Sequence, residues 1–303
     1  MNNLTDKRRF YIYLGFAFGI AWVFGLIVFL TGGIVNSPEI IPGSKITLAL
    51  ILVAIGYMWA PALAHIFTRL ITHQGWGDLN LKLNFKKGWK FWLVAWIGPA
   101  ILTILGAAVH FLVIPNQFDP NLTVLQKMMS TVPGGKAMDP WMIIIGQVIS
   151  AVLVAPVINS FFTFGEEFGW RGYMFPYLLR YGQKKAYLIS GVIWGLWHAP
   201  VIAMGHNYGL DYPGFPWLGI LMMVWFCLLA GTFLGWVRLK SDSVWPAVVG
   251  HAGINGIAGL GIYFASENPN LLLGPTPVGL IGSCGYLIAF CCIFFMTKRE
   301  TAN

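Results

Sequence analysis

Eight stretches of this chain are long and apolar enough to cross the ~30 Å hydrocarbon core of a bilayer. They run approximately over 10–32, 47–71, 89–114, 141–165, 186–204, 216–236, 244–264 and 277–296. A backbone in lipid must satisfy its own hydrogen bonds, so runs of this length read as helices. The expected fold is therefore all-α, a polytopic integral protein of the cell membrane with about eight transmembrane helices. Composition agrees: 57% of residues are hydrophobic and 10% charged, whereas a soluble domain carries roughly a quarter charged residues. Pro, Gly and Asn cluster between the apolar runs, as in "NSPEIIPGSK" and "HNYGLDYPGFP", where chain reversals are expected.

The basic residues orient the bundle. Of the nineteen Lys and Arg residues, all but Lys45, Lys127 and Lys136 fall in alternate connections or at the two ends of the chain. The positive-inside rule then makes the N- and C-termini cytoplasmic. The net charge of +8 is this bias, with attraction to anionic headgroups as a by-product. The charges form no single patch, which excludes nucleic acid as a partner. The first apolar run is longer than a signal-peptide core and no small-x-small cleavage site follows it, so it reads as a retained helix. The four cysteines lie in apolar runs without a CxxC pair and read as small buried hydrophobes.

Once the connections are set aside, few ionisable residues remain at membrane depth, and such residues usually face the bundle interior and mark a site. Glu166 and Glu167 are the only carboxylates, with Arg171 beside them in "TFGEEFGWRGY". Glu167 and Arg171 are spaced i,i+4 and share a helix face. Glu166 is offset by about 100° and free to point elsewhere. This spacing assigns Glu167 to a structural ion pair and Glu166 to chemistry. His198 lies on the fifth run; His251 and Asn255, again i,i+4, lie on the glycine-rich seventh, where small residues allow close helix approach. The order of the runs lets Glu166, His198 and His251 meet in the cytoplasmic half of the membrane, in a site expected to open to the cytoplasm or inner leaflet. A segment around 174–183 is expected to lie amphipathically at the interface. His65 and His110 read as packed, hydrogen-bonded residues, and His73 and His206 as solvated loop residues. Trp170, Trp194 and Trp197 lie near the motifs, where lining the site and plain packing are both open to them.

Glu166-Glu167-x-x-x-Arg171, then Trp194-x-x-x-His198, then His251-x-x-x-Asn255, in this order on successive membrane segments, resembles the CPBP family. That family comprises the type II CAAX prenyl endopeptidases and the bacteriocin-processing or Abi proteins. The resemblance covers roughly 140–260; Trp194 departs from it, since the pattern more often has Phe there. The resemblance implies that Glu166 and His198 activate a water for attack on a peptide carbonyl. It also implies that His251 and Asn255 stabilise the oxyanion, with Glu167, Arg171 and Trp194 in support. Amide hydrolysis needs a base, a proton donor for the leaving amine and donors aimed at developing negative charge, and these residue types supply each. The chain is then one membrane domain over 1–303, with N-terminal helices over 1–139, a catalytic core over 140–260 and a C-terminal helix and tail over 261–303.

The implied activity is endopeptidase cleavage of a membrane-associated substrate: a prenylated CAAX-like tail, a bacteriocin or leader peptide, or a small membrane protein. The implied partners are that lipidated or membrane-anchored chain and the bilayer itself. No cofactor is required in the favoured reading. The alternative uses Glu166, His198 and His251 as three zinc ligands with an open fourth position, although no HExxH is present. Two readings from other classes remain beside the peptidase. One is a proton-coupled transporter using the buried carboxylates and histidines as a relay; the other is a non-catalytic immunity or scaffold member of the same family.

Overall fold

The computed structural model describes residues 3–44, 46–131, 135 and 138–297, so Lys45, Lys136, Lys298 and Arg299 of the charge argument lie outside the described residues. The described residues form helices and no β-strand beyond two isolated bridges. Helix α1 (Asn3–Leu30) crosses once. The second span joins α2 (Leu48–Ile51) to α3 (Ala60–Ile71) through a π-helical turn at Leu52–Tyr57. Helix α4 (Phe85–Val113) is the third span, followed by the short α5 (Thr123–Ser130). The fourth runs through α6 (Pro140–Ile149), a π turn at Ser150–Val154, α7 (Ala155–Ile158) and α8 (Ser160–Gly169), then a further π turn at Trp170–Met174 and α9 (Phe175–Leu178). The remainder is α10 (Gln183–Trp197), α11 (Ala199–Ile202), α12 (Trp217–Ser241), α13 (Trp245–Ile257) and α14 (Cys284–Met296).

Six of the eight expected spans are helices long and apolar enough to cross a membrane. The protein is an all-α, multi-pass membrane protein. The fifth and eighth runs depart from single full-length helices, each for a local reason. The fifth is divided at His198 into α10 and α11; Pro200 lacks the N–H that would continue the helix ladder. In the eighth, only thirteen residues are helical, about 20 Å at 1.5 Å per residue. The preceding loop folds back on itself, with Leu280 and Ile281 donating their N–H groups to the carbonyls of Leu272 and Leu273 at 2.8 Å. Leu272 and Val278 are buried, so this irregular backbone sits in protein, where it is tolerated. The segment expected to be interfacial is also different. Met174, Phe175 and Leu178 are core residues, and the chain reaches the surface only near Tyr181.

The connections sort to two ends as the charge pattern predicts. At the basic end Arg180 pairs with Asp6 at 3.1 Å, and Asn84 donates to the Asp242 carbonyl at 2.6 Å. Lys184 lies over the Phe294 ring near the end of α14. At the other end Asp119 N–H donates to the Phe264 carbonyl, Ser266 N–H to the Gln117 carbonyl, and Tyr208 hydroxyl to the Val278 carbonyl. All four cysteines are free thiols.

Candidate active site

Two pairs of glycines bring the motif helices together. Gly165 and Gly169 flank the two glutamates on α8. A Cβ on Gly165 would stand 2.7 Å from the Met58 carbonyl oxygen, and one on Gly169 2.5 Å from Pro61. Gly191 and Gly195 play the same part on α10, where added Cβ atoms would meet the Leu228 backbone at 2.6 Å and the Val224 backbone of α12. Small residues four apart permit this backbone contact in membrane helices. Thr163 hydroxyl then ties α8 to α13 by donating to the Val248 carbonyl at 2.9 Å.

Glu166, Trp194, His198, His251 and Asn255 line one cavity of about 350 Å³. The sequence carried all five, and the fold places all five on one wall system. Glu166 accepts a hydrogen bond on Oε2 from the Trp194 indole N–H at 2.8 Å. His198 lies 2.8 Å by its Nδ1 from the Trp194 carbonyl. A carbonyl only accepts, so Nδ1 carries the proton and Nε2 holds a free lone pair. Asn255 is exposed at the cavity edge, whereas Glu166 and His251 are buried.

Glu167 and Arg171 do not line this cavity; they stand behind it, both fully buried. Arg171 Nη1 donates to Glu167 Oε1 at 2.9 Å, the i,i+4 pair that the spacing predicts, here spanning the junction of α8 and the π turn. His251 Nδ1 meets the same oxygen at 2.8 Å. Trp194 links the two groups, because the Arg171 guanidinium stacks over its ring at 4.4 Å. Arg171 is further fixed at its own carbonyl by the Arg238 Nε–H at 3.1 Å.

Some participants lay outside the sequence reading. Tyr57 and Met58 from the second span line the cavity, and the Tyr57 hydroxyl donates to the Trp197 carbonyl. His206, expected to be merely solvated, and Asn207 stand in the cavity wall. No motif marks these positions; only the π turn and the loop after α11 bring them in. Trp197 lines the cavity, whereas Trp170 is a core residue packed edge-on against it. His65 has a polar companion after all. Arg69, four residues on, is buried and donates its Nε–H to His65 Nε2 at 2.6 Å, while His65 Nδ1 donates to the Phe168 carbonyl at 3.0 Å. His110 is buried against Gln117 at 3.0 Å.

Among the described residues, no three His, Cys, Asp or Glu side chains are arranged to hold a metal ion. Glu166, His198 and His251, the ligands of the zinc alternative, line the same cavity.

The three motif pairs and their shared cavity fall within residues 139–257, which match the family model described as "Type II CAAX prenyl endopeptidase Rce1-like". This motif-bearing core is therefore similar to that family. A curated relative from Methanococcus maripaludis, named CAAX prenyl protease 2, is 36% identical over 93 residues. That match covers 30% of this chain and 34% of the relative, so the chain spans about a third of the relative's length.

Proposed function

We propose that this chain is an intramembrane endopeptidase that hydrolyses a peptide bond in a membrane-anchored or lipidated peptide. The observation that carries this reading is the convergence of Glu166, His198, His251 and Asn255 on one cavity inside an apolar bundle. The Rce1-like core and the name of the archaeal relative support a protease of the CAAX class. They bring a prenylated CAAX-like tail into the substrate class, beside leader peptides and small membrane proteins.

In the proposed reaction Glu166 takes a proton from water as the water oxygen attacks the scissile carbonyl carbon. The carbonyl π electrons move to oxygen, and Asn255 donates a hydrogen bond to the resulting oxyanion together with His251, protonated on both nitrogens, whose Nδ1–H is held by Glu167. As the tetrahedral intermediate collapses, the C–N bond breaks and the abstracted proton passes to the leaving amine. His198, with its free Nε2, orients the water and shares in that transfer. Trp194 holds one oxygen of Glu166 and leaves the other for water. Glu167 and Arg171 hold His251 in place through a shared carboxylate oxygen. A general base of this kind contributes about 10²–10⁴-fold to rate.

We propose that the reaction needs no metal, because a glutamate base with histidine and asparagine donors supplies water activation and oxyanion stabilisation by itself. The test is cleavage of a panel of lipidated and membrane-anchored peptides by the purified protein, before and after exhaustive chelation with metal analysis. Cleavage that persists at full rate is expected. Loss of activity with loss of stoichiometric zinc would overturn the metal-free part, and no cleavage across the panel would move weight to a transporter or scaffold.

A further inference from the structure

The cavity runs the opposite way from the opening expected of the sequence. From Glu166 and His198 it extends to Ile34, His206, Asn207 and Val278. These residues belong to the connections that lack the basic loops, the end that the positive-inside rule places outside the cytoplasm. On the basic side of the glutamates the bundle is closed. Tyr13, Trp170, Met174, Phe175, Tyr187 and Val237 are completely buried there, and the Glu167–Arg171 pair lies among them. Along α10, Trp194 stands about 16 Å from Gln183 at 1.5 Å per residue, so a thick layer of packed side chains separates the site from the cytoplasmic face.

The side of the cavity is open as well. The lower half of the second span, α3, packs on both α1 and α8, and the upper half packs on α1, with the cavity occupying the gap between that half and α13. Leu50 on one edge of this gap and Asn255 on the other are both exposed. The lining contains no Lys, Arg or Asp among the described residues, and Glu166 is its one acidic side chain. It holds no permanently charged cation to pair a free carboxylate and no second acid to pair a basic side chain, and an unpaired charge at such depth is costly. A peptide bond offered for hydrolysis must leave its helix, and its freed N–H and C=O groups then need partners in hydrocarbon. His206, Asn207 and Asn255 supply such partners along the wall.

Resting on the peptidase reading above, we propose that the catalytic cavity is loaded from the extracytoplasmic half of the membrane. Its substrate is a neutral, unwound segment of a membrane-anchored chain, entering between the upper half of the second span and α13, which ranks leader peptides and small membrane proteins above a CAAX-like tail with its terminal carboxylate.

Single cysteines at Asn207, Ala258 and Tyr181 test the route, the first two in the cavity wall and the third exposed at the basic end. The probe is a membrane-impermeant cationic methanethiosulfonate, applied to intact cells and to inside-out vesicles, with wild type as background for the native thiols. Asn207→Cys and Ala258→Cys are expected to react about tenfold or more faster in intact cells, and Tyr181→Cys in inverted vesicles, since thiol reactivity follows access. Faster labelling of Ala258→Cys in inverted vesicles would overturn the proposal. So would labelling no faster than that of an Ile101→Cys control, exposed midway along α4, from either side. Labelling needs no catalysis: a protein inactive on every peptide but labelled as expected would fail the peptidase reading alone. An active enzyme with inverted labelling would fail the route alone.

Discussion

Glu166 and Glu167 are neighbours in the chain, yet they stand in two different regions of the bundle. Glu166 faces a cavity with a single hydrogen bond from an indole. Glu167 faces a sealed layer in which one of its oxygens serves both an arginine and a histidine. One residue of helix rotation therefore separates a carboxylate available to substrate from one committed to charge balance. The difference teaches that a pair of buried acids need not act as a dyad. The second acid keeps Arg171 and His251 in place so that the first can remain unpaired.

The sharpest way to break this comparison is to neutralise each acid in turn. Glu166→Gln should lower peptide cleavage about 10²–10⁴-fold while the thermal midpoint of the purified protein stays near wild type. Glu167→Gln should instead destabilise the fold by about 3–5 kcal/mol, because it leaves a buried guanidinium uncompensated; the thermal midpoint and yield report it. Equal stability in the two variants would dissolve the distinction. Trp194→Phe comes next: it keeps the ring under Arg171 but removes the N–H that holds Glu166. A hydrogen bond to a charged group is worth about 1.5–3 kcal/mol, so a loss of at least about tenfold in kcat is expected with stability little changed. The smallest effect belongs to the rim of the sealed layer. Asp78 pairs with buried Arg69 at 2.7 Å but is itself 67% exposed, and Asp78→Asn should cost less than about 1 kcal/mol in chemical unfolding.

The sequence carried the membrane class, the two-sided ordering of its connections and the positions of the motif residues. Each rests on a local signal: run length, Lys and Arg placement, or i,i+4 spacing. The Glu167–Arg171 pair was legible for that reason. What escaped depends on contacts between distant segments. His251 meets Glu167 across 84 positions, and Tyr57 reaches the cavity from a span with no motif at all. Arg69 was placed in a basic connection, so its bond to His65 was not anticipated. The loop ahead of α14 escaped because an apolar run satisfies the length criterion for a span whether it is helical or folded back. The direction of the cavity escaped because it is set by which aromatic side chains fill one half of the bundle, a property of packing rather than of any motif.

The two glycines that bracket the glutamates bear on how turnover is timed. With α8 in backbone contact with Met58 and Pro61, the helix cannot shift and carry either carboxylate elsewhere without separating two helices. In the proposed peptidase the polar groups are thus held in place beforehand, and little enzyme reorganisation would accompany charge development. The slow, temperature-sensitive event should then be the unwinding of the incoming peptide. Helix-breaking residues placed in a substrate near its cleavage point should speed cleavage more than any loosening of the enzyme.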